Sequence, residues 1–195
     1  MNRKQSILMA TLGTVTLVAA LTVTGAAAAN ASPPDPSSTA PASQSCWLDV
    51  STQQSLCVPT GEDLIAAVQD EAGVILVVPT GTSIGGLTVT AGRNAAAGFA
   101  PASTQVDTVV SGIYDNINYG GGSLFLTTPG SGCNWSLSSL GSVGWNDRAS
   151  SFKSFAGCHT ALYQNINFGG THIGYSTNLA SFGSFNDQAS SWRTQ

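Results

Sequence analysis

Charged residues are scarce in this sequence. Lys, Arg, Asp and Glu together make up only 8% of the 195 residues, and the formal net charge is −4. Proteins that bind nucleic acids present clustered Lys and Arg to the phosphates, whereas this chain contains six basic residues in all. We therefore expect no nucleic acid among its partners.

Histidine is also scarce, and the cysteines are not closely spaced. The chain has only His159 and His172, and no Cys-x-x-Cys pair among its four cysteines. Zinc sites are built from clusters of these ligands, so the sequence does not predict one. No serine or cysteine has an evident general base, and no carboxylate pair suggests glycoside hydrolysis. We therefore expect a protein that is not an enzyme.

Long apolar runs are absent except at the N-terminus. Arg3 and Lys4 precede an apolar stretch that begins at Ile7 and closes with Ala29-Asn30-Ala31. This order predicts a secretory signal peptide over residues 1–31; a membrane anchor is the alternative. Cleavage would remove two positive charges and no negative ones, which changes the formal charge from −4 to −6. We expect a secreted, extracellular protein without a membrane partner after cleavage.

The remaining chain divides by composition. Residues 32–45 are rich in Pro, Ser and Ala and predict a disordered linker. Residues 46–90 predict a small α/β element, and residues 91–108 a second linker. Residues 109–195 are rich in Gly, Ser, Asn and aromatic residues and have short alternating stretches, which is typical of a small all-β domain.

The predicted α/β element begins with a hairpin. Its helix is expected to start at a capping box formed by Thr60 and Asp63 and to end at Gly73. The segments VILVVP and GLTVT predict strands. Four cysteines suit an oxidising compartment and allow three pairings. We favour Cys46–Cys57, which would close the hairpin, and Cys133–Cys158, because sequence-near pairs need the least rearrangement of the chain.

Two signatures occur twice in the predicted all-β domain. The segment YDNINYGG begins at Tyr114, and YQNINFGG begins at Tyr163. The segment NDRASS begins at Asn146, and NDQASS begins at Asn186. An internal repeat predicts two homologous units, here over residues 110–155 and 158–192. The three acidic residues after position 109, namely Asp115, Asp147 and Asp187, all lie in or beside these signatures.

These signatures resemble those of microbial βγ-crystallins of the calcium-binding type. In that family an aromatic residue, four residues, a second aromatic residue, one residue and glycine open each Greek-key motif, and Asn/Asp-Asn/Asp-x-x-Ser/Thr-Ser forms the calcium loop. The resemblance implies an all-β, double Greek-key sandwich, here preceded by the α/β element. The hairpin residues that carry the resemblance are Tyr114, Tyr163, Gly121 and Gly170.

The resemblance also implies two calcium ions, each held by a double clamp with ligands from both units. The implied ligands are the Asp147 and Asp187 carboxylates, the Arg148 and Gln188 carbonyls, the Ser150 and Ser190 hydroxyls, and carbonyls near Asn118 and Asn167. Asn146 and Asn186 are expected to shape the loops, and the Arg148 side chain to point into solvent. About one carboxylate per ion predicts affinity in the micromolar to millimolar range.

Other interpretations of the same residues remain open. Asn, Asp and Ser are common loop residues. In this alternative, the last Ser of each loop only forms hydrogen bonds with backbone groups beneath the hairpin. The chain also resembles crystallin-like secreted inhibitors of metalloproteases, which would make an extracellular protease its partner. The segment TTPGSGCNWS, an insertion in the first unit, is then the candidate inhibitory loop. Trp135 and Trp145 would suit stacking on sugars, but Trp145 is expected to pack in the core beside the calcium loop. We expect a monomer.

Overall fold

A computed structural model describes residues 43–90 and 105–195. The predicted signal peptide, most of the first linker and residues 91–104 of the second linker lie outside these residues. In the part described, no helix is both long enough and apolar enough to cross a membrane.

Residues 43–90 contain the only α-helix of the described part and five strands. They are β1 (Gln44–Asp49), β2 (Ser55–Pro59), α1 (Leu64–Ala72), β3 (Val74–Val77), β4 (Ser83–Ile84) and β5 (Leu87–Thr88). The Asp63 carboxylate caps α1 by accepting a hydrogen bond from the Ala66 amide at 3.2 Å, and Gly73 ends the helix with a φ of 68°. The predicted end of the helix is confirmed. The predicted start is wrong, because Asp63 caps the helix and Thr60 follows directly after β2.

Residues 105–195 contain eight strands. They are β6 (Gln105–Tyr114), β7 (Ser123–Pro129), β8 (Trp135–Leu137), β9 (Ser151–Ser154), β10 (Thr160–Tyr163), β11 (His172–Ser176), β12 (Asn178–Leu179) and β13 (Ser191–Thr194). Short 3-10 turns connect several of them. The prediction of an all-β domain is confirmed.

The strands form two main sheets. A seven-stranded sheet has the order β12-β9-β6-β7-β1-β2, with β3 also paired to β6, and a four-stranded sheet has the order β11-β10-β13-β8. β8 comes from the first unit but pairs with β13 of the second, and β12 comes from the second unit but pairs with β9 of the first. The two units therefore form one sandwich, in agreement with the double Greek-key sandwich that the resemblance implied.

The α/β element is joined to the first unit by main-chain hydrogen bonds. β1 pairs in parallel with β7, and β3 pairs in parallel with β6. As a result Gln44 and Ser45 belong to β1, and residues 105–108 to β6, where we predicted linker. The pairing satisfies backbone groups that would otherwise lie unpaired at a sheet edge.

Two apolar cores lie on opposite faces of the seven-stranded sheet. Leu124 faces the core between the two sheets, where Trp145, Phe152 and Trp192 also pack. The next residue, Phe125, faces a second core beneath α1. Successive side chains of a strand point to opposite faces, so β7 is buried on both.

Both favoured disulfides are present. Cys46–Cys57 links β1 and β2, and Cys133–Cys158 links the loop after β7 to the segment before β10. The first bridge closes the predicted hairpin, as expected for residues directly opposite each other in its register.

Candidate metal centre

The two aromatic-glycine hairpins adopt the same geometry. Asn118 and Asn167 have φ of 57° and 54°, and Gly121 and Gly170 both have φ of 76°. A Cβ added at Gly121 would lie 2.8 Å from the Asn116 side chain, so glycine is required there by space as well as by backbone angle. The first aromatic ring of each hairpin meets the second edge-on, at 5.7 and 5.8 Å between centroids.

The hexapeptide loops are also alike. Asp147 and Asp187 have φ of 54° and 55°, a left-handed conformation that Asp and Asn tolerate better than most residues. The preceding asparagines hold them there, because Asn146 Nδ2 donates to Asp147 Oδ2 at 2.6 Å and Asn186 Nδ2 donates to Asp187 Oδ2 at 2.7 Å. The predicted loop-shaping role of the two asparagines agrees with these contacts.

The last serine of each loop fastens a hairpin. Ser151 Oγ donates to the Asn116 carbonyl at 2.6 Å and accepts from the Tyr119 amide at 3.0 Å. Ser191 repeats this with Asn165 and Phe168, at 2.7 and 3.0 Å. These two serines therefore have the structural role that the alternative interpretation gave them, and they are not free to bind a ligand.

The fifth residue of each loop, also a serine, reaches across to the other loop. Ser150 Oγ donates to Asp187 Oδ1 at 3.1 Å, and Ser190 Oγ donates to Asp147 Oδ1 at 3.3 Å. The backbone repeats the exchange. The Asp147 amide donates to the Ala189 carbonyl at 3.0 Å, and the Asp187 amide donates to the Ala149 carbonyl at 3.1 Å. The two loops therefore lie side by side with approximate two-fold symmetry.

Two groups of oxygen atoms result. The Ser150 cluster comprises the Ser150 hydroxyl, the Asp187 carboxylate and the Asp115 carbonyl, which also lies within hydrogen-bond distance of Ser150 Oγ. The Ser190 cluster comprises the Ser190 hydroxyl and the Asp147 carboxylate. A cavity of about 420 Å³ lies at the Ser190 cluster, and its other lining residues are Gln164, Asn165, Asp187 and Gln188.

Arg148 and Gln188 occupy equivalent positions in the two hexapeptides. The side chain of each contacts the residue that follows the first aromatic of the hairpin in its own unit. Arg148 Nε and Nη2 donate to the two Asp115 carboxylate oxygens at 3.2 and 3.0 Å. In the second unit Gln164 Nε2 donates to Gln188 Oε1 at 3.0 Å. The Arg148 guanidinium also lies 4.4 Å from the Trp145 ring centroid. The prediction that Arg148 points into solvent is therefore wrong, since an anion and an aromatic face hold it against the protein.

Asn118 and Asn167 lie at the hairpin bends, where their backbone N–H groups donate to the Ala180 and Ser138 carbonyls at 2.7 and 2.8 Å. The hairpin carbonyl in contact with the Ser150 hydroxyl is that of Asp115. Sequence reasoning therefore missed Asp115, and with it the equivalent Gln164. A signal was available, because both residues directly follow the first aromatic of the repeat, and Asp115 is one of three acids after position 109.

The available donors fit a hard cation. Within residues 43–90 and 105–195, no three His, Cys, Asp or Glu side chains are grouped to hold a metal ion. Any ion at the clusters would depend mainly on hydroxyl and carbonyl oxygens, which calcium accepts and softer transition metals do not prefer. The Ser150 hydroxyl has one proton but contacts two acceptor oxygens, so one of these contacts has no bridging hydrogen. A cation would stabilise such a convergence of oxygens.

The tryptophans proposed for sugar stacking have other surroundings. Trp145 is 1% exposed and belongs to the core between the sheets. Trp135 is partly buried against the same core. The Trp145 ring is therefore not available to a sugar.

No family model and no curated protein matches the sequence. Several solved structures match part of the chain. A mutant βγ-crystallin domain from Clostridium beijerinckii is 33% identical, with 44% of this chain and 95% of that chain covered and a TM-score of 0.36. A double mutant of a domain from the same organism is 30% identical, with 44% and 94% covered and a TM-score of 0.37.

A βγ-crystallin domain from Flavobacterium johnsoniae is 27% identical, with 44% of this chain and 93% of that chain covered and a TM-score of 0.36. The matched length is that of one two-motif domain. The two-sheet sandwich and the doubled hairpins and loops are the features that the sequence resemblance implied. Residues 105–195 therefore have a βγ-crystallin-like fold, as the sequence resemblance implied.

Proposed function

We propose that this protein binds two calcium ions, one at the Ser150 cluster and one at the Ser190 cluster, and that calcium stabilises its fold. The observation that carries the proposal is the reciprocal contact of the loops, in which the serine of each unit meets the aspartate of the other at 3.1 and 3.3 Å. Repeated oxygen ligands in one geometry predict two similar sites. We infer a binding protein and not an enzyme.

Calcium would link the two units. The Ser150 cluster takes its hydroxyl and backbone carbonyl from the first unit and its carboxylate from the second. An ion held by both units binds only the folded chain, so its binding free energy adds to the free energy of unfolding. At a free calcium concentration of 100 times Kd, one site would contribute about 2.7 kcal/mol.

We also propose that the protein acts outside the cell, as a monomer. The N-terminal charge and hydrophobicity pattern supports export, and the two disulfides suit an oxidising compartment. Extracellular calcium is often abundant, so sites of moderate affinity would be occupied there. Fractionation of the producing cells and mass spectrometry of the mature N-terminus would test export, and residues 1–31 still attached would contradict cleavage.

Calorimetric titration of calcium into the chain from Ser32 to Gln195 tests the binding proposal. We expect saturation near two ions per chain and a rise in the thermal unfolding midpoint with calcium. Magnesium at the same concentration should bind more weakly, because it demands a regular octahedral site and gives up its waters reluctantly.

The decisive variant is Asp147→Asn combined with Asp187→Asn. Asparagine tolerates the left-handed backbone of both positions, so the loops should keep their shape while both carboxylates are lost. Asp70→Asn is the matched control, because Asp70 lies exposed on α1. Because each Asn keeps an oxygen ligand but loses the charge, we expect the double variant to bind calcium at least about tenfold more weakly than the control; equal affinity of both would refute the assignment.

Peptidase inhibition remains a second candidate because one loop has a suitable form. Residues Pro129–Gly132 and Asn134 are exposed, and between them Cys133 is tied to Cys158. A braced, protruding loop loses little conformational entropy when it binds. A thermolysin-type peptidase titrated with the chain should lose activity stoichiometrically, and Cys133→Ser with Cys158→Ser should weaken the effect. Full peptidase activity at a tenfold excess of this chain would exclude inhibition of that enzyme class.

A further inference from the structure

The two proposed calcium sites differ in one pair of residues. Beside the Ser150 cluster the pair is Arg148 and Asp115, and at the equivalent place beside the Ser190 cluster it is Gln188 and Gln164. Asn, Asp, Ala and both serines are otherwise the same in the two hexapeptides. The uncharged Gln188–Gln164 pair can therefore be compared with the Arg148–Asp115 ion pair within the same chain.

Asp115 is divided between two roles. Its carbonyl contacts Ser150 Oγ, which places its backbone at the Ser150 cluster. Its carboxylate is held by two hydrogen bonds from Arg148. Arg148 is fixed in turn, because Nη1 donates to the Gly144 carbonyl at 3.0 Å and the guanidinium lies over the Trp145 ring.

We propose that the Arg148–Asp115 ion pair sets the calcium affinity of the Ser150 cluster by withholding the Asp115 carboxylate from the ion. This inference rests on the proposed function. Carboxylate charge is a main determinant of calcium affinity, and this carboxylate belongs to a residue whose carbonyl already lies at the cluster. The ion pair is partly exposed, at 41% for Arg148 and 25% for Asp115. Such pairs are weak enough to be broken by substitution or screened by salt.

Calorimetry on single-site backgrounds tests the inference. In the Ser32–Gln195 chain with Ser190→Ala, the Ser190 cluster loses its hydroxyl, and the titration reports mainly the Ser150 cluster. There Arg148→Gln should raise calcium affinity about tenfold, and Asp115→Gln should lower it about tenfold because Arg148 is left unpaired. The combination of both changes copies the Gln188–Gln164 pair and should return the affinity to within about threefold of the background.

The reciprocal background supplies the control. With Ser150→Ala the titration reports mainly the Ser190 cluster, and Arg148→Gln should change its affinity by less than about threefold. An equal rise in both backgrounds would show a general effect of net charge and overturn the inference. No rise in the Ser190→Ala background would overturn it as well, while leaving calcium binding by the wild-type chain intact. A wild-type chain that takes up no calcium would instead refute the proposed function itself.

Discussion

The two units share one fold but differ in how much of their sheets is covered. Phe125 in the first unit is fully buried beneath α1. Its equivalent 49 residues later is Gly174, around which an added Cβ would meet no atom within 4 Å. The outer face of the first unit is a second core, whereas β11 of the second unit is largely exposed. A repeated sequence thus fixes the shared backbone, and the unrepeated residues decide which faces are covered.

The largest effect is expected from Phe125→Ala. Removing a fully buried aromatic ring leaves a cavity between β7 and α1, and we expect the free energy of unfolding to fall by about 3–5 kcal/mol. Chemical denaturation followed by tryptophan fluorescence would measure it. A loss below about 1 kcal/mol would mean that packing against the helical element contributes little to the stability of the first unit. That result would contradict the difference drawn between the two units.

A smaller loss is expected from Gly122→Thr, which copies Thr171 of the second unit into the first. A Cβ at Gly122 would lie 2.6 Å from Asp115 Oδ2 and 2.9 Å from the Gln44 carbonyl of β1. The carboxylate can move but the backbone of β1 cannot easily do so, and we expect destabilisation by about 1–3 kcal/mol. Denaturation of Thr171→Gly is the reciprocal measurement, with a cost below about 1 kcal/mol expected because the adjoining strand β11 is at the edge of the four-stranded sheet.

A pH-dependent effect is expected at Asp107, whose carboxylate shares the Gln105 side-chain donor with that of Asp49. Burial raises the pKa of Asp107, assisted by the nearby charge of Asp49 and opposed by hydrogen bonds from Gln105 and Thr127. A raised folded-state pKa means that the protonated carboxyl stabilises the fold in acid and that this contribution is lost as the pH rises through that pKa. Asp107→Asn should therefore raise the free energy of unfolding at pH 7 by about 1 kcal/mol.

The pKa of Asp49 is shifted in the opposite direction to that of Asp107. Burial raises the pKa of Asp49, but hydrogen bonds from Thr52 and Ser51 outweigh it and lower the pKa overall. Its contribution is present above the unfolded pKa and is lost as the pH falls. Denaturation curves from pH 3 to pH 8 should show the gain from Asp107→Asn shrinking in acid. A gain independent of pH would contradict the titration of Asp107.

The smallest effect is expected from Gly174→Ala. The added methyl group meets open space, and the backbone of β11 needs no positive φ at this position. Alanine restricts the unfolded chain more than glycine does, so we expect a gain of about 0.4–1 kcal/mol. A lower thermal unfolding midpoint for Gly174→Ala would show that the outer face of the second unit has less free space around Gly174 than the structure indicates.

Much of the candidate site could be predicted from the sequence because its residues recur at fixed spacing. The doubled hairpins predicted the two bends, and the doubled hexapeptides predicted two loops whose Asp and Ser meet across the units. Asp115 was missed as a hairpin contact, and the Arg148 side chain was placed in solvent. Both errors concern contacts between residues 33 and 35 positions apart, which local patterns do not encode.

The sequence by itself determined the duplicated unit and the shape of each polar loop, because short-range backbone preferences and repeated spacing fix them, and it favoured the disulfide pairing that is present. Only the tertiary structure decided that the helical element would extend the first sheet and that Arg148 would pair with Asp115. It also decided that the hairpin carbonyl in contact with the Ser150 hydroxyl would be that of Asp115. These outcomes depend on which distant surfaces pack together, since burial and hydrogen-bond satisfaction are properties of the whole fold.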